Sequence, residues 1–372
     1  MKRWAGLAAA VLCAMAAGLA VAACGSTSSS TTSASPSNAA ATSTTTASSS
    51  GGSGSTVGVD YPRSDTDFWN SYIQYVPQFA SSMHLHLLTT NSQNDISKLA
   101  ANVQTLISQG VKGVVIAPQD TAAVVPTLQQ LAAKHIPAVS IDTRPDSGSV
   151  FMVVRANNRA YGIKACQFLG TQMHGQGKVV MLEGDLASIN GRDRTEAFNQ
   201  CVKQSFPSIK VFGEPSKWDP ATAASQLADV LASNPDLRGV YMESSFALAG
   251  TLQVLKQHGL LYTAGNPKHV FIVSNDGIPQ ELKDIGSGLI DATVSQPADL
   301  YAKYGLYYVQ AAIAGKTFQP GPTDHNSTII EVRPGLMEDQ LAAPLVTRTG
   351  ATYGGISSVK YTDTSLWGNN LK

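Results

Sequence analysis

From Val57 onward the chain alternates short β-branched runs with helix-length amphipathic segments, and this alternation limits the fold more than any other feature. Runs at 84–88, 111–117, 136–141, 150–154, 178–182, 238–242, 270–274 and 290–294 read as strands. Between them, helices are expected near 68–80, 95–109, 121–134, 158–173, 192–205, 220–232 and 246–258. Such a pattern produces mostly parallel sheets covered by helices, with functional loops at the carboxyl ends of the strands. A single core stops growing near about 250–300 residues, so two α/β, doubly wound lobes are expected, with a first boundary near Asn157. The local spacing agrees. Asp95 precedes Leu99, Val103, Leu106 and Ile107 at helical intervals and Gly110 ends the run; Asp120 can open a helix that stops before Ile136-Pro137.

The amino end reads as an export device. Lys2 and Arg3 precede an apolar stretch, 4–23, that closes on Val21-Ala22-Ala23-Cys24. Cys24 resembles the acceptor of bacterial lipoproteins, which implies that 1–23 is a signal peptide and that lipid on the Cys24 thiol anchors the chain. A retained membrane anchor and a plain secretory signal are the alternatives. Residues 24–56, almost all Ser, Thr, Ala and Gly, cannot bury enough apolar area to offset ordering entropy and read as a flexible tether. Stretched at about 3.3 Å per residue it reaches on the order of 100 Å. The whole chain carries 26 basic and 26 acidic side chains, a balance that gives no footprint for nucleic acid.

Cys166 and Cys201 fall on consecutive expected helices. In an oxidising compartment they are a candidate disulfide; the alternative is two buried thiols. His84 and His86 share a strand face without a third ligand, so no metal site is expected. Gly184 and Gly191 bracket a loop that is neither a dinucleotide fingerprint nor a phosphate loop, and no cofactor is expected.

Polar and aromatic residues cluster where strands end. Asp142 follows Ile141, residues 184–192 follow Leu182, Asp276 follows Ser274-Asn275, and Gln296 closes the run ending at Val294. Phe68 and Trp69 follow the first strand and its loop, and Trp218 follows Val211-Phe212. Aromatic faces stack on sugar C–H surfaces, carboxylates accept from hydroxyls, and a guanidinium donates in a fixed fork, so the set suits a neutral polyhydroxylated ligand. For Arg192 and Arg194 a solvated helix start is the plainer reading, and Asp193 and Glu196 fit that helix's first turn.

The residues just named, with Asp67-Phe68-Trp69, Ala117-Pro118, Ile136-Pro137-Ala138-Val139-Ser140-Ile141-Asp142, Gly191-Arg192-Asp193-Arg194-Thr195-Glu196-Ala197-Phe198, Val273-Ser274-Asn275-Asp276-Gly277 and Ala292-Thr293-Val294-Ser295-Gln296, resemble the periplasmic sugar-binding proteins of the ribose and galactose type. The resemblance spans about 57–335. It implies the type I periplasmic binding protein fold, in which three crossovers join two lobes that enclose a sugar. It implies a first lobe of 57–157 plus 297–325, a second of 158–296 plus 326–335, and an extension at 336–372 to which no function is assigned. By the same likeness Phe68, Trp69 and Trp218 are the stacking walls, and Asp142, Arg192, Asp276 and Gln296 bind hydroxyls. Ser244 and Thr66 stand where the family commonly has Asn, and Thr143 intervenes between Asp142 and Arg144 where ribose-binding members have Arg directly. These departures point away from plain ribose and leave room for a larger sugar, a linear polyol or a bridging water.

The implied function is that of a lipid-anchored, monomeric receptor on the outer face of the cell membrane, delivering a monosaccharide or polyol to the transmembrane subunits of an ABC permease. A sensor presenting its closed state to a signalling protein is the alternative. A glycoside hydrolase would need two carboxylates about 5 Å or about 6.5–9.5 Å apart, for which Asp142 and Asp276 are the candidates, but no enzymatic activity is expected. A DNA-binding repressor is not expected either, because an export signal and a charge-free tether stand where its DNA-binding domain would lie.

Overall fold

The structure, a computed structural model, describes residues 54–371. The export segment, Cys24 and most of the tether lie outside the described residues. The first passage of chain runs β1 (Thr56–Tyr61), α1 (Asp67–Ser82), β2 (His86–Asn91), α2 (Ile96–Ser108), β3 (Gly113–Ile116), α3 (Val125–Ala133), β4 (Ala138–Ile141) and β5 (Met152–Ala156). The second runs α4 (Asn158–Gln172), β6 (Gln176–Glu183), α5 (Ile189–Ser205), β7 (Ser208–Pro215), α6 (Pro220–Ser233), β8 (Gly239–Met242), α7 (Leu248–Gln257), β9 (Phe271–Asp276), α8 (Pro279–Ser287) and β10 (Ala292–Ser295). Then α9 (Ala298–Ile313), β11 (Gly321–Pro322), β12 (Thr328–Arg333) and β13 (Leu336–Leu341) return to the first lobe, and β14 (Leu345–Thr347), β15 (Thr352–Tyr353) and β16 (Ile356–Lys360) to the second.

Each lobe is thus built on an eight-stranded sheet, β11-β12-β13-β5-β4-β3-β1-β2 in one and β15-β16-β14-β10-β9-β8-β6-β7 in the other. The strands β1–β5 pair in parallel, as do β6–β10. The chain crosses three times: after β5, after β10 and after β13. Central strands such as β3 and β8 are buried on both faces and read as unbroken apolar runs. By contrast β1 is interrupted by Gly58 and Asp60, which is why it does not stand out in the sequence.

Helix ends follow their caps. Asp95 accepts from the backbone N–H groups of Ser97 and Lys98, and Gly110, at φ 80°, lets the chain turn away after α2. Asp120 accepts from Ala122 and Ala123 in a turn, and the regular helix begins only at Val125. α4 and α5 pack side by side because Gly162 has no side chain: a Cβ there would come within 2.4 Å of the Arg194 carbonyl oxygen. Cys166 on α4 and Cys201 on α5 are joined by a disulfide, with Cα atoms 6.2 Å apart.

The carboxyl-terminal third differs from the division expected above. Residues 326–335 do not join the second lobe. β12 turns through Pro334-Gly335, with Gly335 at φ 77°, into an antiparallel pair with β13, and β13 lies parallel to β5 in the first sheet. Nor are residues 336–372 an appendage, since they supply β13 to one sheet and β14, antiparallel to β10, to the other. Each sheet carries an exposed row of N–H and C=O groups beside β5 or β10 until these strands pair with it, and that unmet demand fixes their placement.

The bridge between Cys166 and Cys201 closes a loop of 35 residues. Replacing both by Ser, C166S/C201S, should lower the unfolding free energy by about 3–4 kcal/mol in denaturant titrations, and reductant should then have no further effect. A variant as stable as the oxidised parent would show that helix packing alone holds α4 to α5.

Candidate functional site

The facing strand ends of the two lobes enclose a cavity of about 430 Å³, its mouth included. In the first lobe, Thr66 caps α1 by accepting from the Trp69 backbone N–H, which sets Phe68 and Trp69 in the helix's first turn, edge to face with rings 5.1 Å apart. In the second, Trp218 follows β7 and meets Phe246 edge to face at 5.8 Å. Trp218 holds φ 59°, an uncommon conformation for a bulky residue, and its indole occupies the place of a side chain at Gly184, where a Cβ would lie 1.9 Å from the ring. All four aromatic rings are buried and line the cavity.

Polar arms come from the strand ends between these walls. Asp142 follows β4 at φ 62° and Asp276 ends β9 at φ 121°, so the backbone turns sharply at both carboxylates. Gln296 follows β10, at the second crossover, and bridges the lobes: its Nε2 donates to Asp142 Oδ1 at 3.0 Å, while its Oε1 accepts from Arg194 Nη2 at 2.7 Å. Arg194 is 2 % exposed. Its Nε donates to Asn158 Oδ1 at 2.6 Å and its Nη1 to the Glu243 carbonyl, and the guanidinium lies 5.7 Å from the Trp218 ring centre. Asn190, one turn earlier, accepts from the buried Arg155 at 2.7 Å.

Burial dominates the electrostatics. Desolvation pushes Asp142 up to about 6, although Arg194 and Arg155 pull it down. Burial also raises Asp276, opposed by Arg194 and by hydrogen bonds from Ser244 Oγ, Ser245 Oγ and the Ser245 N–H at 2.6, 2.6 and 2.8 Å. Glu243, behind the site, is pushed up to about 8 by burial, while its carboxylate accepts from the Gly184 N–H at 2.8 Å and Thr195 Oγ1 at 2.7 Å.

Of the residues singled out from the sequence, Phe68, Trp69, Asp142, Trp218, Ser244, Asp276 and Gln296 line this one cavity. Arg144 and Arg192 do not. Arg144 turns to Glu338 at 3.0 Å. Arg192 lies at the lip of the cleft, donating to the Leu186 and Ala187 carbonyls and reaching across to Asp146 at 2.5 Å and Thr121 at 3.2 Å. Arg194 takes the interior place instead, for a reason of helix phase. Asn190, Asp193, Arg194, Ala197, Phe198 and Cys201 repeat at helical intervals and form the buried stripe of α5, whereas Arg192 falls outside it. Thr66, Gln119, Ser188, Asn190, Arg63 and Phe246 complete the lining. Gln119 directly follows the Ala117-Pro118 segment and was within reach of the strand-end rule; Phe246 lies in a 3-10 turn, Ser245–Ala247, that apolar periodicity does not separate from α7.

A model of the periplasmic binding protein domain matches residues 57–317, most of the chain. The chain belongs to the periplasmic binding protein family. It is similar to the ribose import binding protein of Haemophilus influenzae, 26% identical over 70% of this chain and 86% of that one. It is also similar to the xylitol-binding protein of Mycolicibacterium smegmatis, 25% identical over 71% and 72%. Among solved structures, an ABC transporter solute binding protein of Agrobacterium vitis bound to α-D-tagatopyranose superposes with a TM-score of 0.69 at 19% identity, over 84% of this chain and 98% of that one.

In this periplasmic binding protein the matched stretch ends before β11, and the residues beyond it carry a further aromatic behind the site's wall. Trp367 is buried, and its Nε1 donates to the Asp276 carbonyl at 3.1 Å. Its ring meets Phe68 edge to face at 6.1 Å, so a segment that follows the second lobe's last strand backs an aromatic wall of the first. No periodic pattern announces it, because it sits in a short 3-10 turn, Trp367–Asn369.

Two outcomes follow for this protein. Removing the indole in W367A should cost about 3–5 kcal/mol in thermal or urea unfolding, the range for deleting a buried Trp; a loss below about 1 kcal/mol would mean the tail is not packed as described. For Asp142 the sign is the reverse of a paired surface carboxylate. Its folded pKa lies above the ordinary value near 3.8, so the ionised form disfavours folding; that cost is absent below about pH 4 and complete above about 6. D142N should therefore stabilise the unliganded protein by on the order of 1–3 kcal/mol at pH 7.5, and its advantage in urea midpoint should shrink steadily as the pH falls to 4.

Proposed function

We propose that this chain is an extracytoplasmic receptor that reversibly encloses one unphosphorylated monosaccharide or polyol between its lobes and delivers it unchanged to an ABC permease. The single observation that carries the reading is the cavity itself: aromatic walls from both lobes face one another across a set of carboxylate, amide and guanidinium arms. Two cationic side chains, Arg63 and Arg194, and two acidic ones, Asp142 and Asp276, line it, a balance that suits a neutral ligand. Buried hydroxyls of a sugar need partners once water is expelled, and these arms supply both donors and acceptors.

Ligand and closure are linked. Contacts such as Arg192–Asp146 and Thr121–Ala187 join the lips only when the lobes are shut, so a solute that bridges the walls stabilises the state a membrane partner recognises. Relatives named for ribose import and xylitol binding support the ligand class and the transport role. Lipid on Cys24 would hold this monomeric receptor at the outer face of the membrane, the tether giving it reach. The chemistry asks for no reaction. Asp276 is engaged by three donors and Asp142 by Gln296, an arrangement that suits holding hydroxyls rather than protonating or attacking a glycosidic bond.

Calorimetric titration against pentoses, hexoses, polyols and sugar phosphates tests this. A neutral sugar or polyol should bind and be recovered unaltered, whereas its phosphate should not bind. R194Q should weaken binding about 100-fold, the loss of roughly 3 kcal/mol expected for a buried charged hydrogen-bonding group, and W218A about tenfold or more. R192A, acting only through the lips, should lose less than either. Full affinity in folded R194Q and W218A, judged by the far-UV spectrum, would overturn the site.

A further inference from the structure

The cavity is not the end of the cleft. A second space of about 770 Å³, open to solvent, adjoins it, and Thr66 and Phe246 line both. Its remaining walls come from Leu248, Ala249 and Leu252 on α7, from Pro220 and Ile278, and from the start of α1 across the cleft. Because one side belongs to the first lobe and the other to the second, the space is complete only when the lobes are closed.

We infer that this annex is a second subsite, which takes a neutral, apolar substituent on the bound sugar, so that the ligand class extends to glycosides with alkyl or aryl aglycones. The inference rests on the sugar-binding reading of the main cavity and deepens it. Three observations carry it. The first is adjacency: Phe246 presents its ring to Trp218 in the main cavity and also bounds the annex. The second is the boundary between the spaces. Thr66 lines both spaces, and its hydroxyl is turned back to cap α1 by accepting from the Trp69 backbone N–H. The third is charge. Asp65, Asp67 and Asp284 line the annex and no Lys or Arg does, among the described residues, which disfavours phosphate, sulfate or uronate groups; Asp65 is already paired with Arg63 at 2.5 Å, and the apolar side chains of Leu248, Ala249, Leu252 and Ile278 offer contact to an uncharged body.

The experiment is calorimetry on the purified protein with free pentoses and hexoses and with their methyl and phenyl glycosides. The phenyl glycoside of a sugar that binds should be about tenfold or more tighter than its methyl glycoside. Ala249 is exposed on α7, so A249W can fill the annex without disturbing the core. It should abolish the phenyl advantage while changing free-sugar affinity less than about twofold, and L252A, which widens the annex, should keep that advantage. If free sugars bind but phenyl glycosides gain nothing, or keep their gain in A249W, the annex is not a subsite and the sugar-binding reading stands alone. If no sugar or glycoside binds, the functional reading fails and the annex with it.

Discussion

Arg194 is a cation without access to bulk water, and the arrangement around it answers that cost. Asn158 and the Glu243 carbonyl satisfy it from within the second lobe, Gln296 ties it to the crossover, and Asp142 and Asp276 supply opposite charge from the two lobes. Removing the guanidinium would leave the side-chain oxygens of Asn158 and Gln296 buried and unmatched. The positions of β4, β9 and β10, the sharp turns at Asp142 and Asp276 and the packing of α4 on α5 all bear on whether this guanidinium is satisfied.

The same economy explains why the two carboxylates are held at uncommon backbone angles. A strand that ended in extended conformation would carry its last side chain to one face of the sheet, whereas a positive φ redirects the chain at the strand's mouth, where the other lobe approaches. Asp276, at 121°, lies outside the left-handed helical range of φ, whereas Asp142, at 62°, lies within it, in a conformation that aspartate tolerates better than most residues. Tryptophan does not, and it is the Gly184 vacancy and the edge of Phe246 that hold Trp218 there.

Much of this was legible in the sequence because it depends on local rules. Alternating strands and helices gave two parallel sheets, and the residue after a strand gave Asp142, Asp276, Gln296 and Trp218. What escaped depends on phase or on distance. Choosing between Arg192 and Arg194 required following the buried stripe of α5 from Phe198 and Cys201 back to its first turn, a helical count available in the sequence but overridden by the likeness to the family. The placement of β12 and β13 could not be read locally, since Pro334-Gly335 marks a turn without saying which sheet edge the hairpin joins. Trp367 lies beyond any periodic element, and its partners, Phe68 and Asp276, are distant in sequence.

The interleaving of the chain also bears on how the molecule comes into being. Neither sheet is made of contiguous sequence, and the free edges beside β5 and β10 are covered only by β13 and β14, close to the carboxyl end. A polypeptide emerging amino end first therefore carries two unfinished sheets until β13 and β14 have been synthesised. Long-range pairing of this kind folds slowly and exposes sticky edges meanwhile. Under the export proposed above, that delay would be an advantage, because neither sheet is complete before β13 and β14 arrive.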